Sequence, residues 1–140
     1  MHRALITGGT AGIGAAFARA FAGRGTALVL VARDADRLDE VAAQLRREFG
    51  VEVETLAADL SDRAAQQRVA DRLAAADDPV DVLVNNAGFS VKAPLLDEDL
   101  SQHDLGFEVM IRAVLKLGGA AGRAMSARGR GWIINVGSVS

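Results

Sequence analysis

A cluster of four glycines between two segments of different character places the strongest constraint on the fold of this chain. Residues 7–14 read T-G-G-T-A-G-I-G, directly after the short apolar run 4–6 and before an alanine-rich stretch. Glycine allows a sharp turn and lets a ligand approach the main chain closely. A helix that starts there directs its unpaired N–H groups and its positive dipole end toward a phosphate. The segment predicts a strand, a turn and a helix that together bind a dinucleotide pyrophosphate.

The glycine spacing alone is a weak signal. It is Gly8-x-x-x-Gly12-x-Gly14, which differs from the best-known dinucleotide pattern G-x-G-x-x-G. It is not a P-loop, because no Lys-Ser or Lys-Thr pair follows. A tight turn that binds no ligand therefore stays open as an alternative at this point.

Length and composition exclude several classes of function. The 140 residues are enough for one domain with a hydrophobic core, and the net charge of −2 creates no field that attracts nucleic acid or an acidic membrane. The sequence has no cysteine, so thiolate chemistry and disulfides are excluded and a reducing cytoplasm is the expected location. Its two histidines lie far apart, which argues against a metal site. We expect a soluble cytoplasmic domain without a signal peptide or a membrane span.

Apolar runs and amphipathic segments alternate along the whole chain. We predict strands at 4–7, 27–32, 51–57, 80–84 and 132–136, and helices at 13–24, 34–49 or 36–49, 61–76 and 101–126, with a loop at 89–100. This alternation is typical of a parallel sheet with right-handed crossovers. It predicts an α/β, doubly wound fold with five strands in the order 3-2-1-4-5, strand 51–57 near an edge, and a ligand at the carboxyl ends of the strands.

Two further segments make the glycine pattern specific. N-N-A-G at 85–88 follows the fourth predicted strand, and I-N-V-G-S at 134–138 covers the fifth. With the turn at 7–14, these resemble the short-chain dehydrogenase/reductase family, whose signatures are T-G-x-x-x-G-x-G, N-N-A-G and a serine after strand 5. The resemblance extends from residue 3 to residue 140. It implies that residues 1–140 form an NADP(H)-binding Rossmann domain, as the N-terminal half of a longer single domain.

The resemblance assigns most of these residues to the cofactor. The residues that match the segment around the pyrophosphate and the adjacent ribose are Gly8, Thr10, Gly12, Ile13 and Gly14. The pair that matches the adenine contact is Asp59 and Leu60, with a helix cap as the alternative role for Asp59. The stretch that matches the ribose lining is Asn86, Ala87 and Gly88, and Asn86 is also expected to tie neighbouring strands together.

The arginine at position 33 indicates which nicotinamide cofactor the chain prefers. It directly follows the second predicted strand, where the adenosine ribose should lie. An arginine there can bind a 2′-phosphate with two parallel hydrogen bonds, whereas an acidic residue would bind the 2′-hydroxyl. Asp34 lies one step further along and is expected to cap the next helix. A second basic residue common in the family is replaced by Ala11. We expect NADP(H) rather than NAD(H), with a solvated surface role as the alternative for Arg33.

The resemblance also identifies a catalytic serine and shows what the chain lacks. Ser138 matches the serine that hydrogen-bonds the substrate oxygen, with Ser140 as the nearby alternative. The proton donor of the family is a tyrosine four residues before a lysine, on the helix after strand 5, and this sequence contains no tyrosine. We therefore expect the 140 residues to bind cofactor but to turn over little or nothing. Strand 132–136 is expected to present an exposed apolar edge.

The predicted helix 101–126 departs from the family pattern and also suggests self-association. Met110 falls where many members have an asparagine that supports a proton relay. Four glycines, at 106, 118, 119 and 122, suggest close approach of another helix, because each costs helix stability. Since the family commonly associates through this helix, we expect a homodimer or homotetramer. His103 is expected to be exposed to solvent.

Three functions remain open from the sequence. The first is an oxidoreductase that transfers a hydride between NADP(H) and a carbonyl or secondary alcohol. The second, to which Met110 points, is a non-catalytic nucleotide-binding or redox-sensing protein. The third is a half-domain completed by a partner chain.

Overall fold

The computed structural model describes residues 2–138, in which helices cover both faces of a parallel sheet. The strands are β1 (Arg3–Thr7), β2 (Ala27–Ala32), β3 (Val53–Ala57), β4 (Val82–Asn85) and β5 (Trp132–Asn135). The α-helices are α1 (Gly12–Gly23), α2 (Ala35–Phe49), α3 (Arg63–Ala74), α4 (Ser101–Phe107) and α5 (Ala113–Arg128), with a π-helical turn (Glu108–Arg112) between the last two.

The sheet has the predicted order β3-β2-β1-β4-β5 with every pair parallel, so the predicted α/β fold is confirmed. β1 lies at the centre, where Leu5 is in register with Val29 of β2 and Leu83 of β4. β3 and β5 form the two edges. The connections that leave β1 and β4 run to opposite faces of the sheet. The carboxyl ends of these neighbouring strands therefore diverge and leave a crevice.

Alternate residues of the central strands enter two separate cores. Leu5 packs into the core beneath α3 and α5, which contribute Val69 and Leu117. Its neighbour Ile6 packs into the core beneath α1 and α2, with Leu38. Because both faces are covered, β1 and β2 are apolar without alternation, as expected for interior parallel strands.

Local capping chemistry determines where the helices begin and end. The Asp34 carboxylate accepts a hydrogen bond from the Arg37 N–H at 3.1 Å and so caps α2, as one of the two sequence alternatives predicted. Gly50 ends the same helix with φ +67°. Asp62, rather than Ser61, caps α3 through the Ala65 N–H at 3.0 Å. The predicted start of this helix at residue 61 was therefore two residues early.

The predicted helix 101–126 was wrong in one respect, because its hydrogen bonding changes in the middle. At the π-helical turn, the Ala113 N–H donates to the Glu108 carbonyl, five residues earlier rather than four. The predicted exposure of His103 was also wrong. His103 is half-buried and its Nε2 atom is fully buried.

No helix among residues 2–138 is long and apolar enough to cross a membrane.

At the edge strand β5, the predicted exposed apolar surface is present, because the side chains of Trp132 and Ile133 are exposed.

The hydroxyl of Thr7 ties the end of β1 to the segment after β4. Thr7 is buried, and its Oγ1 accepts hydrogen bonds from the N–H groups of Asn86 and Ala87, both at 2.9 Å. The Asn86 side-chain amide donates back to the carbonyls of Thr7 and Gly8, each at 3.2 Å. The predicted link between neighbouring strands through Asn86 is therefore present, with Thr7 as its second half.

The isosteric substitution Thr7→Val tests this link. Valine fills the same space but leaves the Asn86 and Ala87 N–H groups without their acceptor, so we expect the free energy of unfolding to fall by about 2 kcal/mol or more. Thr55→Val, on edge strand β3, is the matched control and should change it by less than about 0.5 kcal/mol. Urea denaturation measures both. Equal effects of the two substitutions would show that the Thr7 hydroxyl has no special role.

Candidate cofactor site

A cavity of about 960 Å³ lies at the carboxyl ends of β1 to β4. It is lined by residues 8, 10–13, 31–34, 58–61, 86–89, 102, 105 and 109. This volume is near the upper end of the range for pockets that bind small molecules and cofactors. Its position matches the crevice where doubly wound sheets bind their ligands.

The glycine turn forms one end of the cavity. Gly8 and Gly12 have φ of +65° and +55°, which only glycine adopts at little cost. Gly14 lies beneath the turn, where a Cβ would come within 2.0 Å of the Gly8 carbonyl oxygen. α1 therefore starts in direct contact with the turn. Its N-cap residue is Ala11 and its first turn has no acidic residue, so the helix N-terminus keeps N–H groups and dipole available for an anion.

The N-N-A-G segment forms the wall opposite the turn. Asn86, Ala87 and Gly88 line the cavity while the bonds to Thr7 hold them in place. Met110 packs behind this wall, since a Cβ on Gly88 would lie 3.4 Å from the Met110 sulfur. Asn85 is the first residue of this segment. Its side-chain amide donates a hydrogen bond to the Asn135 side chain at 2.9 Å and so connects β4 to β5.

Charged groups lie at the end of the cavity near β2 and β3. Arg33 is exposed and follows β2, while the neighbouring Asp34 carboxylate is used in the cap of α2. The Asp59 carboxylate accepts from the Ser61 hydroxyl at 2.7 Å and from the Ser61 N–H at 3.0 Å. These two bonds, followed by the positive charge of Arg33, lower the pKa of Asp59. Asp59 therefore stays ionised and does not cap α3, a function that Asp62 performs.

The structure brings nearly all of the sequence-predicted cofactor residues together. Those that line the cavity are Gly8, Thr10, Gly12, Ile13, Arg33, Asp59, Leu60, Asn86, Ala87 and Gly88. Gly14 supports the turn from below. Ser138 is exposed after β5 and is not part of the cavity lining. Ser140 lies outside the described residues. The roles assigned to these residues stay predictions.

Sequence reasoning missed one wall of the cavity. Gln102 and Leu105 of α4, and Val109 of the π-helical turn, also line it, and Val109 belongs to the same hydrophobic core as Leu60. Their spacing of three and four residues is that of a single helical face. This face could have been recognised, but the exposed apolar residues of the same helix obscured it. Among residues 2–138, no group of three or more histidine and acidic side chains could hold a metal ion.

Comparison with known proteins agrees with this geometry. The sequence profile described as short chain dehydrogenase matches residues 2–140. Gluconate 5-dehydrogenase of Gluconobacter oxydans is 37% identical over 140 residues, which cover 98% of this chain and 53% of that protein. The chain spans about half the length of the curated relatives it matches.

Solved structures show the same similarity. A short-chain dehydrogenase from Sphingobium yanoikuyae, in complex with NADPH, has a TM-score of 0.94 and 40% identity, covering 99% of this chain and 54% of that one. L-sorbose reductase from Gluconobacter frateurii, complexed with NADPH and L-sorbose, has a TM-score of 0.91 and 35% identity, covering 99% and 52%. From the profile match over nearly its whole length and from this shared fold, the chain belongs to the short-chain dehydrogenase family of oxidoreductases.

Proposed function

We propose that this chain is the cofactor-binding part of an oxidoreductase that transfers a hydride between NADP(H) and a carbonyl or secondary alcohol. The observation that carries the proposal is the cavity itself, which combines a glycine turn, an uncapped helix N-terminus and an arginine at the end of β2. Proteins of this family use nicotinamide cofactors, and the structures similar to this chain include NADPH complexes.

The lining residues fit the parts of a dinucleotide. The N–H groups at the start of α1 suit a pyrophosphate, and no side chain at Gly8 or Gly12 obstructs its approach to the main chain. Leu60 and Val109 supply apolar walls suited to a flat adenine ring. The cofactor supplies the hydride chemistry when bound, and the chain contributes binding and orientation.

Arg33 is the residue that we assign to the 2′-phosphate of NADP(H). The Asp34 carboxylate is engaged at the N-terminus of α2, so it is a poor partner for a ribose 2′-hydroxyl. The Arg33 side chain is exposed and lines the cavity, where its charge also acts on Asp59. A planar guanidinium binds phosphate with two parallel hydrogen bonds. NAD(H) is the less favoured cofactor.

Ser138 is the residue that we assign to the substrate oxygen, because it matches the family serine after β5. A serine hydroxyl donates a hydrogen bond that stabilises charge developing on that oxygen. It does not by itself exchange a proton at neutral pH, and the sequence has no tyrosine to do so. We propose that these 140 residues bind cofactor and show little turnover on their own.

A non-catalytic nucleotide-binding or redox-sensing role is the second candidate. It is favoured by Met110, because the family resemblance implies an asparagine at this position. The Met110 side chain packs against Gly88. A thioether cannot hold a relay water as an amide does. Steady-state assay of the protein extended through a Tyr-x-x-x-Lys segment would separate the two functions. Turnover there supports the oxidoreductase, and cofactor binding without turnover supports the alternative.

The substitution Arg33→Ala tests the choice of cofactor. We expect the Kd for NADPH to rise about 10- to 100-fold, since hydrogen bonds to a charged phosphate are lost, while the Kd for NADH changes less than about threefold. The control is Arg37→Ala, which removes a nearby exposed arginine paired with Glu40 at 3.5 Å. Fluorescence titration measures each Kd. Comparable affinities for the two cofactors, unchanged by Arg33→Ala, would rule out the assignment.

We also propose self-association through the helical segment 101–128. Three of its exposed apolar side chains are spaced by four residues: Phe107 is 58% exposed, Ile111 61% and Leu115 72%. A Cβ on Gly118 or Gly122 would meet nothing within 4 Å in this chain, so these glycines leave room for a second helix. An apolar stripe beside small residues is suited to a second copy of the chain, as a homodimer or homotetramer.

Sedimentation velocity checks this surface. We expect the wild-type protein to sediment as a dimer or tetramer, and Ile111→Asp to shift it toward monomer because a carboxylate would be buried at the interface. Leu96→Asp, at a loop residue that is 94% exposed, is the matched control and should leave the distribution unchanged. A monomeric wild-type protein would refute self-association.

A further inference from the structure

Gln66 is a buried polar residue that lies outside the cavity. It sits on α3 with 2% of its surface exposed. Its Nε2 atom is 2.9 Å from the Leu60 carbonyl oxygen, 3.0 Å from the Glu108 carboxylate and 3.3 Å from the Glu108 carbonyl oxygen. One amide nitrogen with two hydrogens therefore serves three acceptors.

These acceptors belong to two segments that line the adenine end of the cavity. Leu60 lies in the loop after β3 and lines the cavity. Glu108 begins the π-helical turn, whose next residue, Val109, also lines it. Leu60 and Val109 belong to one hydrophobic core although they are more than forty residues apart in sequence, and the Gln66 amide bonds to both segments.

The Glu108 carboxylate is held as an anion beside this amide. Arg63 donates to it at 3.0 Å, and this bond, followed by the one from Gln66, lowers the pKa of Glu108. A hydrogen bond to a charged acceptor is stronger than one to a neutral group. The link from Gln66 to the π-helical turn is therefore the stronger kind, and it is present at neutral pH.

We propose that Gln66 is a positioning residue that holds the Leu60 loop and the π-helical turn together as one apolar lining, and through it sets the affinity for the adenine half of a dinucleotide. The proposal rests on the nucleotide-binding function proposed above. Without the amide, the buried Leu60 carbonyl and the Glu108 carboxylate lose a shared donor, and the loss favours displacement of either segment toward water. An apolar lining fitted to a flat ring is sensitive to such a displacement.

The substitution Gln66→Met tests the proposal, because methionine has a similar size and shape but no donor. We expect the Kd for 2′,5′-ADP, the adenine half of NADP, to rise about tenfold. The Kd for reduced nicotinamide mononucleotide, the other half, should change less than about twofold. The matched control is Gln67→Met, which removes the adjacent exposed amide that pairs with Asp71 on the surface of the same helix. NMR titration measures both ligands.

These outcomes distinguish a positioning role of Gln66 from a general loss of packing in the protein, and both from an absence of nucleotide binding. An equal loss for both ligands, or no loss for 2′,5′-ADP, would overturn the role of Gln66. A wild-type chain that binds neither ligand would overturn the nucleotide function and this proposal with it. If Gln66→Met does not fold, Glu108→Ala replaces it, since that side chain is 24% exposed. It should weaken 2′,5′-ADP about threefold and leave the other ligand unaffected; unchanged 2′,5′-ADP affinity would contradict the proposal.

Discussion

A single buried hydroxyl, that of Thr7, holds the two sides of the crevice in register. The chain must diverge after β1 and β4 to leave space for a ligand, yet the divergent segments need a fixed separation. The Thr7 oxygen accepts from two successive main-chain N–H groups after β4, at 2.9 Å each. The turn at 7–14 and the N-N-A-G segment, which carry the residues assigned to the pyrophosphate and the adjacent ribose, are therefore joined directly through this hydroxyl and the Asn86 amide.

Sequence periodicity was sufficient for the architecture because the signals are local and strong. β2 is predicted to its last residue, since an apolar run without alternation bounded by polar residues has one interpretation in a parallel sheet. The π-helical turn had no such signal. Its hydrogen bonds skip one additional residue at Glu108, and no residue type in this segment marks such a change. The contacts of Thr7 were hidden for another reason, because the signature that contains Thr7 does not show which main-chain groups its hydroxyl will reach.

The candidate site divides in the same way between local signals and tertiary ones. The glycine turn and the N-N-A-G segment are contiguous in sequence, so a resemblance to one family was enough to name their residues. The wall formed by Gln102, Leu105 and Val109 depends on how α4 packs across the sheet, and so does the bridge from Gln66. Spacing can indicate that such residues share a helical face, but it does not show which part of the sheet that face packs against.

The two edges of the sheet differ in chemical character: the β3 edge carries cationic side chains, and the β5 edge carries apolar ones. At β3, Arg46 and Arg68 donate to the carbonyls of Val53 and Ala57, and these cationic side chains obstruct the approach of another strand. At β5, the exposed side chains include Trp132 and Ile133. Among residues 2–138, an approaching strand would therefore meet arginine side chains at β3, whereas it would meet exposed apolar side chains at β5.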